Sequence, residues 1–167
     1  MEPLLVHAEY YDRYVKRVKS DDLVAAFQQQ RFGVTRFFDS LPTSKANYAY
    51  AAGKWTVKQL VQHLTDAERI FAYRALTFAR GDEAILPGFE EDDYAVAADV
   101  TGRSLQNIIE EFVAVRKTTE LLFASFTKEA LSRTGVASGN EISVASAGWV
   151  ILGHFDHHKS ILLERYL

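Results

Sequence analysis

The stretch Gly148–Leu167, GWVILGHFDHHKSILLERYL, combines a strongly apolar pattern with three of the five histidines of the chain. His154 and His158 are four residues apart, which places them one turn apart on the same face of an α-helix. At ~100° per residue, several apolar residues project toward that same side: Ala147, Val150, Ile151, Ile161 and Leu162. The pattern therefore predicts a helix that buries two imidazoles at a spacing suited to one metal ion.

A third nitrogen donor can come from His63, which stands in KQLVQHLTDAERIF with Leu60, Ala67 and Ile70 on its own helical face. Burying an imidazole without a partner costs on the order of 1 to 3 kcal/mol, so three inward histidines indicate a compensating interaction. Three neutral nitrogens suit zinc, nickel, cobalt or iron(II) and leave a position for water or substrate. The alternative is that each histidine is an ordinary polar residue bonded to a carbonyl.

Asp66 is the candidate catalytic residue, because it follows His63 by three residues and lies about 60° round the same face. It could orient an imidazole, accept a proton from water or coordinate an ion directly. A carboxylate in contact with solvent or with Arg69 is an equally good interpretation.

The remaining acidic and histidine residues near this pattern are expected to play smaller parts. His157 points about 60° to one side of His154 and could serve as a polar neighbour of the site. Asp156 projects away from His154 and is expected to face solvent or a partner rather than to coordinate an ion. His7 has no partner nearby in sequence and is expected to be a surface residue.

The composition favours one globular domain spanning residues 1–167. A net charge of −3 excludes the basic field that attracts nucleic acid, and the absence of cysteine excludes disulfides and thiolate ligands. No run reaches the ~18 apolar residues of a membrane span, and the N-terminus lacks the pattern of a secretory signal. We therefore expect a cytoplasmic protein without nucleic-acid or membrane partners.

Apolar spacings of three and four predict an all-α protein with four main helices and no sheet. Thr56 and Gln59 have the spacing of a capping box, and Gly81 is a plausible helix stop. A shorter aromatic helix is expected at Tyr10–Lys19. The main helices are expected over residues 21–41, over 56–81, over 104–126 and from about 143 to the C-terminus.

Two segments between the helices are expected to be loops. Residues 81–103, GDEAILPGFEEDDYAVAADVTGR, are far longer than the roughly 2 to 8 residues that usually join helices of a bundle. They are expected to cross over between distant helix ends, either as a functional loop or as a solvated acidic connection. Residues 127–142, TKEALSRTGVASGNEI, form the second expected loop.

The combination of KWTVKQLVQHLTDAER, GHFDHH and the terminal ILLERYL resembles the DinB-like superfamily, which is named after a DNA-damage-inducible bacterial protein. The similarity covers nearly the whole chain, including FAYRALTFARGD and LPGFEEDDYA. It implies a four-helix bundle with up-up-down-down connections, in which residues 81–103 form the crossover between helices 2 and 3. It also implies that His63, His154 and His158 hold one divalent metal ion, most often nickel or zinc.

Two classes of function remain open. The resemblance implies a metal-dependent enzyme of the thiol S-transferase or hydrolase type, acting on a small-molecule substrate such as a low-molecular-weight thiol. The alternative is a non-catalytic bundle that binds a ligand or forms a homodimer, with a structural or incidental metal. Four aromatic residues could form the dimer face, although core packing is their commoner use: Tyr10, Tyr11, Tyr14 and Trp149.

Overall fold

The computed structural model describes residues 5–167 and consists mainly of helices. A 3-10 turn, Glu9–Tyr11, leads into the first of them. In chain order the helices are α1 (Asp12–Val15), α2 (Leu23–Asp39), α3 (Val57–Ala79), α4 (Glu91–Ala97), α5 (Leu105–Ala124), α6 (Lys128–Ser132) and α7 (Val144–Ile161). Leu162–Tyr166 continues α7 as a turn of π-helix. The four long helices, α2, α3, α5 and α7, confirm the predicted all-α four-helix bundle.

Each long helix begins at a residue whose side chain accepts a hydrogen bond from a backbone N–H of the first turn: Asp22, Thr56, Ser104 and Ser143. The predicted capping box is confirmed, because Gln59 also accepts from the backbone N–H of Thr56 at 2.9 Å. At the other end of α3, Gly81 adopts a φ of 77°, a left-handed conformation that stops a helix and favours glycine.

The apolar stripe predicted on α2 is buried throughout: Leu23, Phe27, Val34, Phe37, Phe38 and Leu41. Within the bundle, α2 and α3 both pack against α5 and α7. One half of the core gathers the N-terminal part of α2 with the C-terminal part of α3 and the first turns of α7. The other half gathers the opposite ends of α2 and α3 with the start of α5.

Contacts between the ends of helices set the direction of each one. Lys58 near the start of α3 donates to the carbonyl of Arg103, which precedes α5, so these two helices run parallel. The hydroxyl of Tyr166 donates to the carbonyl of Trp55 at 2.7 Å, so α7 ends where α3 begins. The ring of Phe27, near the start of α2, stacks on the ring of Phe123, near the end of α5, with their centres 5.1 Å apart. The two helices therefore run antiparallel.

The chain therefore runs up, down, down and up through α2, α3, α5 and α7. The crossover between the second and third main helices is confirmed, but the predicted up-up-down-down order is wrong for α3 and α7. The reason is that the segment between α3 and α5, which contains α4, carries the chain back along the bundle to the end where α3 began. The connections on either side of it stay at one end of the bundle and reverse the chain direction.

The expectation of no sheet is also wrong, because part of the predicted second loop forms a hairpin. Strands β1 (Thr134–Ala137) and β2 (Asn140–Ser143) pair antiparallel across Ser138 and Gly139. These two residues have φ values of 53° and 74°, the conformation that two-residue hairpin turns require. The serine-glycine pair between Val136 and Ile142 was the local signal for this turn.

The N-terminal segment lies against α7 and is less helical than predicted, since only Asp12–Val15 forms an α-helix. A Cβ atom on Gly153 would lie 2.0 Å from the backbone oxygen of Tyr14, so a glycine permits this close approach. Tyr14 and Trp149, considered above for a dimer face, are buried within this chain. Among residues 5–167, no helix has the length and apolar character needed to cross a bilayer.

Candidate metal centre

Three histidines from two helices meet inside the bundle. Antiparallel packing of α3 against α7 brings His63 beside the one-turn pair of His154 and His158. Each ring offers a nitrogen, and the three nitrogens all lie within 4.8 Å of one another. The rings of His63 and His158 are centred 4.9 Å apart, and those of His154 and His158 4.6 Å apart.

All three imidazoles are buried and are held in their neutral form. Burial lowers the pKa of His63 from 6.5 to about 4. Burial and the neighbouring imidazoles hold the pKa values of His154 and His158 well below 6.5. Neutral imidazole is the form that donates a lone pair to a metal ion, so the site is ready for coordination at neutral pH.

One nitrogen in this cluster has no hydrogen-bond partner among the described residues. The Nδ1 atom of His158 is buried and unpaired, although such groups are costly to bury. His63 and His154 share a single contact between their Nε2 atoms at 3.1 Å. Two nitrogens bound tetrahedrally to zinc at ~2.0–2.1 Å would lie about 3.3 Å apart. The cluster therefore fits a divalent ion in its donor type, its burial and its spacing.

Aromatic side chains hold the imidazoles from the outside. The indole of Trp55, one residue before the N-cap of α3, is centred 4.7 Å from the His63 ring. Tyr14 of α1 meets His154 edge-on at 5.2 Å and His157 at 5.5 Å. The N-terminal segment thus covers the histidines, and burial raises the pKa of the Tyr14 hydroxyl well above 10.

Asp66 contacts polar and charged neighbours rather than the imidazole cluster. Its carboxylate accepts a hydrogen bond from Gln62 at 3.0 Å and lies 3.9 Å from Arg69. Glu111 of α5 and Arg103 also act on it, and burial raises its pKa. The three histidines come together without Asp66, and Arg69 is among the neighbours of its carboxylate.

His157, Asp156 and His7, the other residues considered in the sequence, occupy three different environments. His157 is half-buried beside the cluster, with its ring centred 5.0 Å from that of His158. Asp156 is half-buried rather than solvent-facing, and burial raises the pKa of its carboxyl although Gln30 bonds to it. The interpretation of His7 as a surface residue is wrong, because its ring is held between Ser146 and Asp12 at 3.1 Å from each.

A cavity of about 250 Å³ opens beside the centre, and His63 and His154 form part of its wall. Three segments complete the lining: the N-terminal segment with its tyrosines, the crossover segment around Phe89, and the hairpin turn at Ser138. These segments are distant in sequence, so the cavity exists only in the folded chain. It is somewhat smaller than the roughly 300 to 1,000 Å³ of sites for drug-sized ligands, so its size suits only a small molecule.

Two buried arginines near the candidate metal centre were not identified from the sequence. Arg74 lines the cavity and is 2% exposed. Arg116 is equally buried in the core, where it pairs with Glu68 close to His154. Charged residues are rarely fully buried, so the helical periodicity of the sequence did not indicate that Arg74 and Arg116 lie inside the protein.

Comparisons with known proteins agree with this fold. A protein of Oceanobacillus iheyensis, provisionally named a metal-dependent hydrolase, is 30% identical over 122 residues, or 72% of this chain and 69% of that protein. YfiT from Bacillus subtilis is described as a probable metal-dependent hydrolase with an unusual four-helix bundle topology. Its solved structure matches the fold with a TM-score of 0.72 at 15% identity, over 98% of this chain and 90% of YfiT.

The family comparison covers the histidine-bearing helices directly. The DinB superfamily matches residues 26–162, which include His63, His154 and His158. The sequence motifs, the helical bundle and this match agree, and the chain belongs to the DinB superfamily.

Proposed function

We propose that this protein is a metal-dependent hydrolase in which His63, His154 and His158 hold one divalent ion, zinc or nickel. The observation that carries the proposal is the meeting of three buried, neutral imidazoles, one with an unpaired Nδ1, beside a cavity whose wall includes His63 and His154. The names given to the Oceanobacillus relative and to YfiT support hydrolysis as the reaction class.

The ion would supply Lewis-acid chemistry, which polarises a carbonyl and makes water or a thiol a better nucleophile at neutral pH. The protein contributes the fixed geometry and the dry surroundings. Trp55 packs on His63, and Tyr14 packs on His154, so neither ring can turn away from its neighbour. Three donors from the chain leave room for a substrate on the cavity side, as in catalytic rather than structural zinc sites.

The first experiment measures metal content in unsupplemented protein by elemental analysis. We expect one divalent ion per chain in the parent protein and in the matched control His157→Ala. We expect little or none in His63→Ala, His154→Ala and His158→Ala, because each variant removes one of only three donors. Equal metal contents in His157→Ala and His158→Ala would exclude His158 as a ligand and overturn the proposal.

The second experiment measures turnover. A panel of small esters and amides is assayed before chelation, after chelation and after the metal is restored. Hydrolysis should disappear and return with the ion, while the helical circular dichroism signal stays unchanged. Assays with a low-molecular-weight thiol and an electrophile test the thiol-transfer alternative on the same preparations. Loss of thermal stability on chelation without any turnover would favour a structural metal.

The catalytic role expected for Asp66 stays a prediction that Asp66→Asn can test. If Asp66 acts as a base, the variant should lose kcat while its metal content stays at that of the parent protein. Unchanged turnover would assign Asp66 to the polar cluster with Gln62, Arg69 and Glu111 alone.

A further inference from the structure

Arg74 shares one cavity with two histidines of the candidate metal centre. Ala67, Phe71 and Arg74 follow His63 along the same side of α3 and line this cavity with it. Eleven residues at ~1.5 Å per residue separate the backbones of His63 and Arg74 by about 16 Å along the helix axis. Side chains of a helix lean toward its N-terminus, so the guanidinium of Arg74 extends back toward the histidines.

The charge of Arg74 is buried without a counter-ion in the described part of the chain. Arg74 is only 2% exposed, yet no carboxylate of residues 5–167 forms an ion pair with its guanidinium. The buried Arg116, in contrast, is neutralised by Glu68 at 2.8 Å. Burying a cation is costly unless an anion pairs with it, so the cavity favours a negatively charged occupant.

Neutral acceptors hold the guanidinium in place. Its Nη2 donates to the carbonyl of Pro87 at 2.9 Å and to the hydroxyl of Ser138 at 2.8 Å. The hydroxyl of Tyr11 accepts a further hydrogen bond, and the guanidinium lies 5.1 Å from the centre of the Phe71 ring. A guanidinium has five N–H donors, so three neutral acceptors leave donors free for a ligand. The group is therefore oriented in advance and needs little reordering to bind one.

The other charges at this cavity do not cancel the effect. Glu90 and Glu91 lie at its edge, on the crossover segment and the start of α4, and both are exposed to solvent. Solvent and salt screen exposed charges far more strongly than buried ones. Partial burial raises the pKa of the Glu91 carboxyl, and Arg13 of the N-terminal segment opposes this shift. Arg74 is thus the buried charge among the residues that line the cavity.

We propose that Arg74 is the anchor for a carboxylate of the substrate, so that the protein acts on a small organic acid. This inference rests on the proposed function, because the reactive end of the acid would lie toward His63 and His154. A carboxylate matches the planar fork of a guanidinium with two parallel hydrogen bonds. The apolar part of the acid would pack on Phe71 and Phe89 in the middle of the cavity.

Two probes of nearly equal shape test the proposal: 3-phenylpropionate and its neutral amide, 3-phenylpropionamide. Their dissociation constants are measured by calorimetry on metal-loaded protein and on chelated protein. We expect the acid to bind about tenfold or more tightly than the amide in both preparations, since a charge-assisted pair is stronger than a neutral one. Arg74→Gln should bring the two constants to within about twofold of each other.

The matched control is Arg80→Gln, which removes an exposed arginine from the end of the same helix. It should keep the preference of the parent protein for the acid. If Arg74→Gln does not fold, Arg74→Lys carries the test, because it keeps the charge but loses the planar fork. A preference that falls about threefold or more in the lysine variant supports the proposal, and an unchanged preference overturns it.

The two preparations separate this inference from the proposed function. If chelation removes the preference for the acid while Arg74→Gln keeps it, the carboxylate binds the ion and the inference fails alone. If no ion binds but Arg74 still sets the preference, the hydrolase proposal fails while the anchor remains. Equal binding of the acid and the amide by the parent protein overturns the assignment of Arg74.

Discussion

The Nε2 atom of His63 lies 3.1 Å from the Nε2 atom of His154, although 91 positions separate the two residues in the chain. No carboxylate or backbone carbonyl of residues 5–167 forms a hydrogen bond with either ring. A neutral pair of imidazoles gains only one hydrogen bond here, and the nearby Nδ1 of His158 gains none. A shared ion would give the cluster an interaction that it lacks, so we expect metal binding and stability to be coupled.

Metal binding should therefore raise the melting temperature. At a free zinc concentration about 100 times its dissociation constant, the stabilisation is about 2.7 kcal/mol, or roughly 5 to 10 °C for a chain of this size. Differential scanning fluorimetry of chelated protein, with and without added zinc, measures the shift. His157→Ala should retain it and His158→Ala should lose it. A shift of equal size in both variants would show that zinc stabilises the protein at another site.

Acid should destabilise the metal-free protein below pH 6.5. The unfolded chain binds protons near that pH, whereas burial keeps the folded His63 neutral down to a pKa of about 4. Burial and mutual repulsion act in the same direction on His154 and His158. The folded pKa values are depressed, so the free energy of unfolding falls as pH falls through this window, by up to about 1.4 kcal/mol per pH unit for each histidine.

Urea unfolding of chelated protein between pH 7.5 and pH 5 measures this dependence. His63→Ala should show a shallower slope, because it has one fewer proton acceptor. Two charged residues modulate the effect: Asp92 raises the pKa of His63, and Arg13 lowers those of His154 and His158. A free energy of unfolding that stays constant from pH 6.5 to pH 5 would contradict the prediction.

The buried ion pair of Glu68 and Arg116 should contribute strongly to stability when only one partner is removed. Arg116 donates through Nε and Nη2 to both carboxylate oxygens, at 2.8 to 3.0 Å, and through Nη1 to the amide oxygen of Gln30. Glu68→Gln leaves the guanidinium buried without its counter-ion, so we expect a loss of about 3 to 5 kcal/mol in the free energy of unfolding.

Glu129→Gln is the control for this loss, since it breaks the exposed i,i+4 pair with Arg133 and should cost under about 0.5 kcal/mol. Urea titrations at pH 7 give both values. Similar losses in the two variants would mean that solvent reaches the buried pair.

Gly153→Ala should loosen the contact between α7 and the N-terminal segment. The new Cβ would lie 2.0 Å from the backbone oxygen of Tyr14, so the segment must move, at a cost of about 1 to 3 kcal/mol. Because Tyr14 packs on His154, metal affinity should fall as well. Thermal unfolding and metal titration measure the two effects.

Gly33→Ala is the matched control within α2, where the added Cβ meets nothing within 4 Å. Alanine has the higher helix propensity, so this variant should gain about 0.5 to 1 kcal/mol of stability. An equal gain in Gly153→Ala would show that the N-terminal segment does not approach α7 as closely as described.

The sequence predicted the features that depend on neighbours within one or two helical turns. Thr56 and Gln59 form the expected capping box, and the apolar stripe of α2 is buried as its spacing predicted. The pair of His154 and His158 lies on the inner side of α7 because a helix places every fourth residue on one face. The hairpin at Ser138 was also local, but its short strands lay in a segment interpreted as a loop.

Long-range packing decided the rest. Helix directions, the burial of Arg74 and the position of Asp66 depend on which neighbour each face of α3 meets, and periodicity does not identify that neighbour. His7 shows the same limit, because its partner Ser146 lies 139 positions away.

The sequence by itself determined the four long helices, the capping box of α3 and the inward direction of the three histidines, since these follow from backbone geometry and local side-chain chemistry. Only the tertiary structure decided that His63 meets His154 and that a cavity with a buried arginine opens beside them. The physical reason is that such contacts arise from the packing of whole helices, to which residues throughout the core contribute.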